Sequence, residues 1–318
     1  MKCLVTGAAG FIGSHLCERL IKEGCEVVGI DNFMDYYARS FKESNISGLL
    51  SDPGFRFVEE SILDCDLGKL FEDLDAVFHQ SAQAGVRASW GANFRIYSDN
   101  NILATQMLLE AAKSSPVKKF IYASSSSVYG DTTDLPMRES SVTRPVSPYG
   151  VSKIAAEHLC YLYYRNFRVP TVSLRYFTVY GPRQRPDMAF HRFFKWILEG
   201  KVIQMYGDGE QSRDFTHIDD IVGANWLAFK KGDPGRVFNI GGGSTVTMNQ
   251  VIHTMEEITG RPATVDYQQM QKGDVRHTSA DMTMAREELG YNPAVSIRKG
   301  LETEYKWIRE LMDQTRGR

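Results

Sequence analysis

The sequence predicts an α/β protein, a doubly wound parallel sheet with a smaller C-terminal α/β substrate-binding lobe. Three observations predict this fold. Short apolar runs alternate with amphipathic stretches, a glycine-rich turn joins the first run to the first stretch, and the alternation loosens after Phe177. Short apolar runs suit strands that are buried on both faces of a parallel sheet. Their alternation with helices favours right-handed crossovers.

The predicted elements of the first half follow one another regularly. The strands are Lys2–Thr6, Glu26–Ile30, Arg56–Glu59, Ala76–Gln80, Lys119–Ser124 and Thr171–Tyr176, and the helices are Ser14–Glu23, Asn101–Ser114 and Ser152–Phe167. Prolines and glycines break the second half into shorter pieces, so we place the boundary between two domains, 1–176 and 177–318. Segments near 214–243 are expected to return to the first domain. Asp219 and Asp220 are predicted to cap a helix that begins near Ile221.

Composition excludes several classes of protein. Of 318 residues, 42% are hydrophobic and 24% charged, and the net charge of −2 argues against nucleic acid as a partner. No window reaches the roughly 18 consecutive apolar residues that a membrane helix needs. The five cysteines are scattered, which indicates a reducing, cytoplasmic setting. The histidines lack ligand spacing, so no metal site is expected.

The glycine-rich turn carries the first functional signal. Gly7, Gly10 and Gly13 follow the first strand and open the first helix. Such a turn lets the backbone approach a pyrophosphate at a helix N-terminus, as in a Rossmann-like dinucleotide site. Asp31 ends the second strand, where a carboxylate accepts hydrogen bonds from a ribose and repels a 2′-phosphate. The first domain is therefore predicted to bind NAD rather than NADP.

The second signal is a tyrosine four residues before a lysine. Tyr149 and Lys153 project onto one face at a helix start. The lysine ammonium, together with the charge of a nicotinamide, is expected to lower the pKa of Tyr149. The tyrosine can then take a hydroxyl proton while hydride leaves the same carbon. Upstream, the serines of 124–127 end a strand at the carboxyl edge of the sheet, and the residues alone do not choose among them.

With these motifs the chain resembles the extended short-chain dehydrogenase/reductase family, the nucleotide-sugar epimerases and dehydratases. The supporting runs are the glycine turn, 101–105, Ser124–Gly130, Tyr149–Lys153, Arg175–Pro182 and Arg213–Phe215. The resemblance places the catalytic hydroxyl on Ser125, with Ser126 in reserve, beside Tyr149 and Lys153. It also implies that Asn100 or Asn101 contacts substrate or nicotinamide, and that the two long helices of the first domain form the seam of a homodimer.

Within that family the run from Arg175 to Phe190 resembles the UDP-glucuronate 4-epimerases, with Thr178 where most relatives carry Asn. The implied reaction interconverts UDP-glucuronate and UDP-galacturonate through a transient 4-keto sugar, on tightly bound NAD. The expected cofactor contacts are Gly7, Ala9, Gly10, Phe11, Ile12, Gly13, Asp31, Asn32, Gln80, Ala82, Asn101, Tyr149 and Lys153. The expected substrate contacts are Val86, Arg87, Ser125, Ser126, Thr178, Arg185, Arg192, Gln204, Tyr206, Arg213 and Arg276.

The chemistry of a 4-keto uronate separates the alternatives. Its acid is β to a carbonyl and loses carbon dioxide readily when aligned with the carbonyl π system, so an epimerase must hold the acid out of alignment. Thr178 and a bidentate Arg185 suit this task. The family's decarboxylases carry a glutamate beside the catalytic hydroxyl, and its dehydratases an acidic pair where this chain has Ser126 and Ser127. A UDP-glucuronate decarboxylase, a UDP-glucose 4-epimerase and a non-catalytic nucleotide-sugar sensor remain alternatives.

Overall fold

The computed structural model describes residues 1–316, and its strands alternate with helices through most of the chain. The strands are β1 (Lys2–Thr6), β2 (Glu26–Ile30), β3 (Phe55–Val58), β4 (Ala76–His79), β5 (Lys119–Ser125), β6 (Thr171–Tyr176), β7 (Thr178–Tyr180), β8 (Ile203–Tyr206), β9 (Ser212–His217), β10 (Val237–Ile240), β11 (Thr245–Thr247) and β12 (Val265–Gln268). The α-helices are α1 (Phe11–Lys22), α2 (Arg39–Ile46), α3 (Leu67–Phe71), α4 (Phe94–Tyr97), α5 (Ala104–Lys113), α6 (Pro148–Phe167), α7 (Ala189–Glu199), α8 (Ile218–Lys231), α9 (Met248–Thr259) and α10 (Ile297–Arg316).

A seven-stranded parallel sheet forms the first domain, in the order β10-β6-β5-β4-β1-β2-β3. The chain builds outward from β1 to β3 and then returns to the other side of β1 with β4. Crevices at such a reversal are where ligands bind in doubly wound sheets. The predicted α/β fold is confirmed, and β1, β2 and β6 have the predicted bounds.

Helices cover both faces of this sheet. One face packs on α1 and α8 through buried side chains that include Leu16, Leu20 and Ile221. The other packs on α3, α5 and α6, whose buried side chains include Leu108 and Cys160. Burial on both faces explains why central strands such as β1 and β4 are mostly apolar and do not alternate.

Helix α1 begins at Phe11 rather than Ser14, and helices α6 and α8 begin earlier than the sequence pattern predicts because their caps lie upstream. Helix α6 begins at Pro148 rather than Ser152, since the Ser147 hydroxyl accepts a hydrogen bond from the Gly150 amide at 3.1 Å and proline occupies the first turn. Helix α8 begins at Ile218, and its cap is His217, whose Nδ1 accepts from the Asp219 amide. The prediction that Asp219 and Asp220 cap it was wrong.

The second half builds a smaller cluster of elements around its own core. Strands β11, β9 and β7 form one sheet, and β12 pairs with β8. Their core includes Phe194, Met255 and Leu301. Strand β10 and helix α8 belong instead to the first sheet and its cover. Within residues 1–316, no helix combines the length and the apolar character needed to cross a membrane.

Candidate active site

The glycine turn between β1 and α1 forms the floor of the first cavity, whose volume is about 230 Å³. Gly7 has a φ of +68°, and a Cβ there would lie 2.9 Å from the backbone of Ser81. A Cβ on Gly13 would lie 2.0 Å from the Gly7 carbonyl oxygen. Only glycine fits at these two positions, and the result is an open helix N-terminus without a side-chain cap.

Asp31 at the end of β2 lines the same cavity and is held from several sides. Its Oδ1 accepts from the Phe33 amide at 2.9 Å, and its Oδ2 from the Ala9 amide at 3.3 Å. The Nζ of Lys42 lies 3.3 Å from Oδ1, and both side chains are buried. Asp31 is therefore paired with the Lys42 ammonium at the place where a ribose is expected.

Tyr149 lies on the first turn of α6, at the carboxyl edge of β5, with the Ser125 side chain beside its phenol. Burial raises the pKa of Tyr149, while the Ser125 hydroxyl and the charge of Arg185 lower it in part. The protein's own groups thus raise the pKa, because desolvation of the phenol outweighs the nearby charges. The predicted fall, which includes the charge of a bound nicotinamide, stays a prediction.

Lys153 follows one turn later, with its Nζ 4.6 Å from the centroid of the Tyr122 ring. Burial lowers the pKa of Lys153 to about 7, although the charge of Glu157 raises it. Glu157 is itself buried, accepts a 2.6 Å hydrogen bond from the Ser124 hydroxyl and pairs with Arg175. Glu157 therefore interacts both with Lys153 and with strand β5, which carries Ser124.

A π-helical turn, Ser98–Leu103, precedes α5 and contains two consecutive asparagines that have different surroundings. Asn100 lines the first cavity. Asn101 is buried, and its side chain bonds the Gln83 amide at 2.7 Å, the Gln83 carbonyl at 3.0 Å and the Ser152 hydroxyl at 2.8 Å. Of the two candidates, Asn100 lines the cavity, and Asn101 connects Gln83 in the cavity wall to Ser152 on α6.

Arg185 reaches the first cavity from the segment between β7 and α7. Its guanidinium is held by Asp187, with Nε 3.0 Å from Oδ1 and Nη2 3.0 Å from Oδ2. The Tyr36 hydroxyl donates to the same carboxylate at 3.4 Å. A buried positive charge therefore faces the cavity that contains Tyr149.

A second cavity lies between the two halves of the chain, next to the first. Strand β8 alternates in burial: Gln204 and Tyr206 are half-buried and line this cavity, Ile203 is in the core, and buried Met205 belongs to both the core and the cavity lining. The guanidinium of Arg213 is held by the carbonyl oxygens of Ser212, Val275 and Arg276, and burial lowers its pKa. A cation that is bonded to carbonyls rather than carboxylates retains charge for an anionic ligand.

Most of the predicted site residues line one of three adjoining cavities. The first contains Gly7, Gly10, Phe11, Ile12, Gly13, Asp31, Asn32, Gln80, Ala82, Tyr149, Lys153 and Arg185. The second contains Arg87, Thr178, Arg192, Gln204, Tyr206 and Arg213, and a third contains Val86 and Ser126 together with Thr178 and Arg213.

Four predicted residues lie outside these linings. Ser125 lies beside Tyr149, Ala9 donates its amide hydrogen to Asp31, and Asn101 is buried as described. Arg276 is partly exposed and pairs with Asp208, with Nη2 2.8 Å from Oδ2.

Several residues of the site have no sequence signal of their own. Lys42 and Gln83 enter it only through contacts with distant parts of the chain, and Asp187 enters it through its bond to nearby Arg185. Glu157 is the exception, since its spacing of four from Lys153 places both on one face of α6. No group of three or more metal-ligating side chains occurs within residues 1–316.

The parallel sheet, the glycine turn and the adjoining tyrosine and lysine define a dinucleotide-binding enzyme fold with a second, anion-accepting cavity. The chain belongs to the NAD dependent epimerase/dehydratase family, whose family model matches residues 3–241.

The sequences of similar proteins match this chain over nearly its whole length. A crystal structure of UDP-glucuronic acid 4-epimerase from Bacillus cereus, in complex with UDP-glucuronic acid and NAD, is 48% identical with a TM-score of 0.95 and covers 98% of this chain and 100% of that one. A UDP-glucuronate 4-epimerase of Thermodesulfobacterium geofontis is 41% identical over 96% of each chain. An uncharacterised UDP-glucose epimerase of Bacillus subtilis is 45% identical over 98% of this chain and 99% of its own.

Proposed function

We propose that this protein is an NAD-dependent UDP-glucuronate 4-epimerase, which interconverts UDP-glucuronate and UDP-galacturonate without loss of carbon dioxide. The observation that carries the proposal is the position of Arg185. Its guanidinium is largely buried, lines the cavity of Tyr149 and acts on the pKa of that tyrosine. A neutral sugar needs no such cation, whereas a hexuronic acid does. The relatives named above support the same substrate.

The residues of the first cavity fit NAD. The turn at Gly7 and Gly13 lets a diphosphate approach the open N-terminus of α1, and Asp31 offers carboxylate oxygens to a ribose. When bound, NAD accepts a hydride from C4 of the sugar and returns it to the opposite face. Asp31 repels a 2′-phosphate, which favours NAD over NADP.

Tyr149, Ser125 and Lys153 are the proposed acid–base group. Tyr149 takes the proton of the 4-hydroxyl as the sugar is oxidised and returns it when the sugar is reduced. The Ser125 hydroxyl, beside the phenol, shares the hydrogen bond to the sugar oxygen. Lys153 in its protonated form favours the phenolate, and Glu157 favours that form of the lysine.

The acid group of the sugar is held by Thr178 and Arg185. Thr178 and Ser126 line the third cavity and Arg185 lines the first, so adjoining cavities supply both hydroxyls and a guanidinium for the acid. Bonds from fixed donors keep the C5 carboxylate out of alignment with the C4 carbonyl, and this prevents decarboxylation while the ring turns.

The nucleotide occupies the second cavity. Arg87, Arg192 and Arg213 suit the diphosphate, while Gln204 and Tyr206 on β8 suit the base. The Arg87 guanidinium lies 4.3 Å from the centroid of the Tyr206 ring, which keeps it at the cavity wall. A fixed diphosphate lets the keto sugar rotate without release.

Mass spectrometry and NMR of the product from UDP-glucuronate test the proposal. Purified protein should contain NAD that is released on denaturation, and it should convert UDP-glucuronate into a product of equal mass, UDP-galacturonate. Loss of carbon dioxide would identify a decarboxylase, and turnover of UDP-glucose alone a neutral-sugar epimerase. Absence of both cofactor and turnover would leave a nucleotide-sugar sensor.

We also propose that the protein is a homodimer, and that its domains are 1–176, with β10 and α8 added, and the remaining lobe. Exposed apolar side chains support the dimer: Leu103, Val151 and Leu162 lie on or beside α5 and α6, and each is at least 44% exposed. Val151 and Leu162 are eleven residues apart and so share one helix face. Light scattering at micromolar concentration should give twice the chain mass, and Leu162→Glu should give monomer. The five free cysteines support a reducing, cytoplasmic location.

A further inference from the structure

Arg185, the proposed holder of the substrate acid, already bonds a carboxylate of its own chain. The Asp187 carboxylate accepts hydrogen bonds from Nε and from Nη2 of Arg185, at 3.0 Å each. These two N–H groups form the side-on edge of the guanidinium, one of the edges that can grip a carboxylate with two parallel bonds. A substrate acid cannot use this edge while Asp187 holds it.

The end-on edge remains, with one N–H from Nη1 and the second N–H of Nη2. Because the guanidinium is planar and rigid, fixing the side-on edge fixes the direction of the end-on edge as well. Asp187 is itself fixed from two sides. The Met188 amide donates to the Arg185 carbonyl at 3.1 Å, which closes the turn before α7, and the Tyr36 hydroxyl donates to Asp187 from the first domain.

The negative charge of Asp187 is unfavourable for the ligand proposed to bind beside it. Asp187 lines the second cavity together with Arg192 and Arg213, where a diphosphate is proposed to bind, and a carboxylate there repels that ligand. Without Asp187, the flexible stem of Arg185 could turn its charge toward the diphosphate instead of the sugar. The Asp187 carboxylate is therefore unfavourable for nucleotide binding, whereas its two bonds to Arg185 direct that guanidinium toward the sugar.

We propose that Asp187 is a positioning residue that occupies the side-on edge of Arg185 and presents the end-on edge to the substrate acid. This inference rests on the proposed function. Its consequence is that Asp187 separates epimerisation from decarboxylation. If the acid rotates into alignment, the bond between C5 and the carboxylate breaks, carbon dioxide leaves, and the electron pair passes to an enolate that is protonated at C5.

The test is Asp187→Ala in the NAD-loaded protein with UDP-glucuronate. We expect the rate of epimerisation to fall by about 10-fold, and UDP-pentose, reduced or as the 4-ketone, to reach about a tenth of the product, since small misplacements of a bound group cost rate steeply. The affinity for UDP alone, measured by calorimetry, should be unchanged or tighter because a negative charge has gone. Asp187→Asn, which keeps one acceptor oxygen, should be intermediate.

Glu288→Ala is the matched control, since Glu288 holds Arg236 by the same two nitrogens, Nε and Nη2, far from the cavities. It should epimerise cleanly. Bound NAD and the melting temperature report folding of each variant. Clean epimerisation by Asp187→Ala, at whatever rate, overturns the inference, and weaker binding of UDP assigns Asp187 to the nucleotide and overturns it too. A wild-type protein that leaves UDP-glucuronate unchanged overturns instead the function on which the inference rests.

Discussion

Glu157 and Arg175 form a buried ion pair directly beneath the serine strand of the site. The Nη2 of Arg175 lies 2.6 Å from Oε1 of Glu157, and its Nε lies 3.0 Å from Oε2. Oε2 also accepts from Ser124, while the other end of the guanidinium donates to the Tyr129 hydroxyl at 2.7 Å. The pair thus joins helix α6, which carries Tyr149 and Lys153, to strands β5 and β6.

Glu157→Ala should therefore destabilise the protein strongly. It leaves Arg175 buried without its counter-charge, and breaking a buried pair from one side typically costs about 3–5 kcal/mol. The free energy of unfolding from urea titrations measures the loss. The double variant Glu157→Leu with Arg175→Met removes both charges and should recover part of it. A single variant as stable as the wild type would contradict the prediction.

Tyr149→Phe should retain NAD and lower kcat by at least ~10²-fold, because the proposed general base loses its hydroxyl. Turnover of UDP-glucuronate and the NAD released on denaturation provide the two measurements. Tyr161→Phe is the control, since Tyr161 lies on the same helix and is exposed. Similar turnover in both variants would refute the assignment of Tyr149.

Much of this site could be predicted because its signals are local. The glycine spacing, the strand end at Asp31 and the spacing of Tyr149 and Lys153 are set by turn geometry and helix periodicity. The same local logic predicted the bounds of β1 and β2, which are short runs of mostly apolar residues, and of β6, which is buried along its whole length.

The remainder depends on contacts between distant parts of the chain. Asn101 turns away from the cavity because a π-helical turn shifts the register before α5, and no residue type marks such a turn in advance. Asp187 is only two residues from Arg185, but nothing in the sequence distinguishes its pairing with that arginine from an ordinary surface charge. The rise that burial causes in the pKa of Tyr149 could not be predicted from the sequence, because burial is a property of the whole fold.

The stability of the protein should depend on pH through Lys153. Its pKa falls from about 10.4 in an unfolded chain to about 7 in the folded one. Between these values the unfolded chain binds more protons, so this residue makes the free energy of unfolding rise with pH. The difference between wild type and Lys153→Met should increase by up to ~1.4 kcal/mol per pH unit from pH 7 to 10 and be constant below pH 6. Denaturant titrations at each pH measure it, and a difference independent of pH would show that the lysine keeps its ordinary pKa.

The pairing of Asp31 with Lys42 makes a prediction about cofactor choice. Lys42 carries a buried ammonium beside the expected ribose, and only 3.3 Å separates its Nζ from Oδ1 of Asp31. Asp31→Ser removes the carboxylate that repels a 2′-phosphate and frees the ammonium to pair with one. The affinity for NADP, measured by calorimetry on protein stripped of cofactor, should rise by about 10-fold, equivalent to about 1.4 kcal/mol. In the double variant Asp31→Ser with Lys42→Met the gain should disappear, because the anion has lost its partner. Equal gains in the two variants would mean that repulsion by Asp31 alone selects NAD, and that Lys42 only neutralises the aspartate.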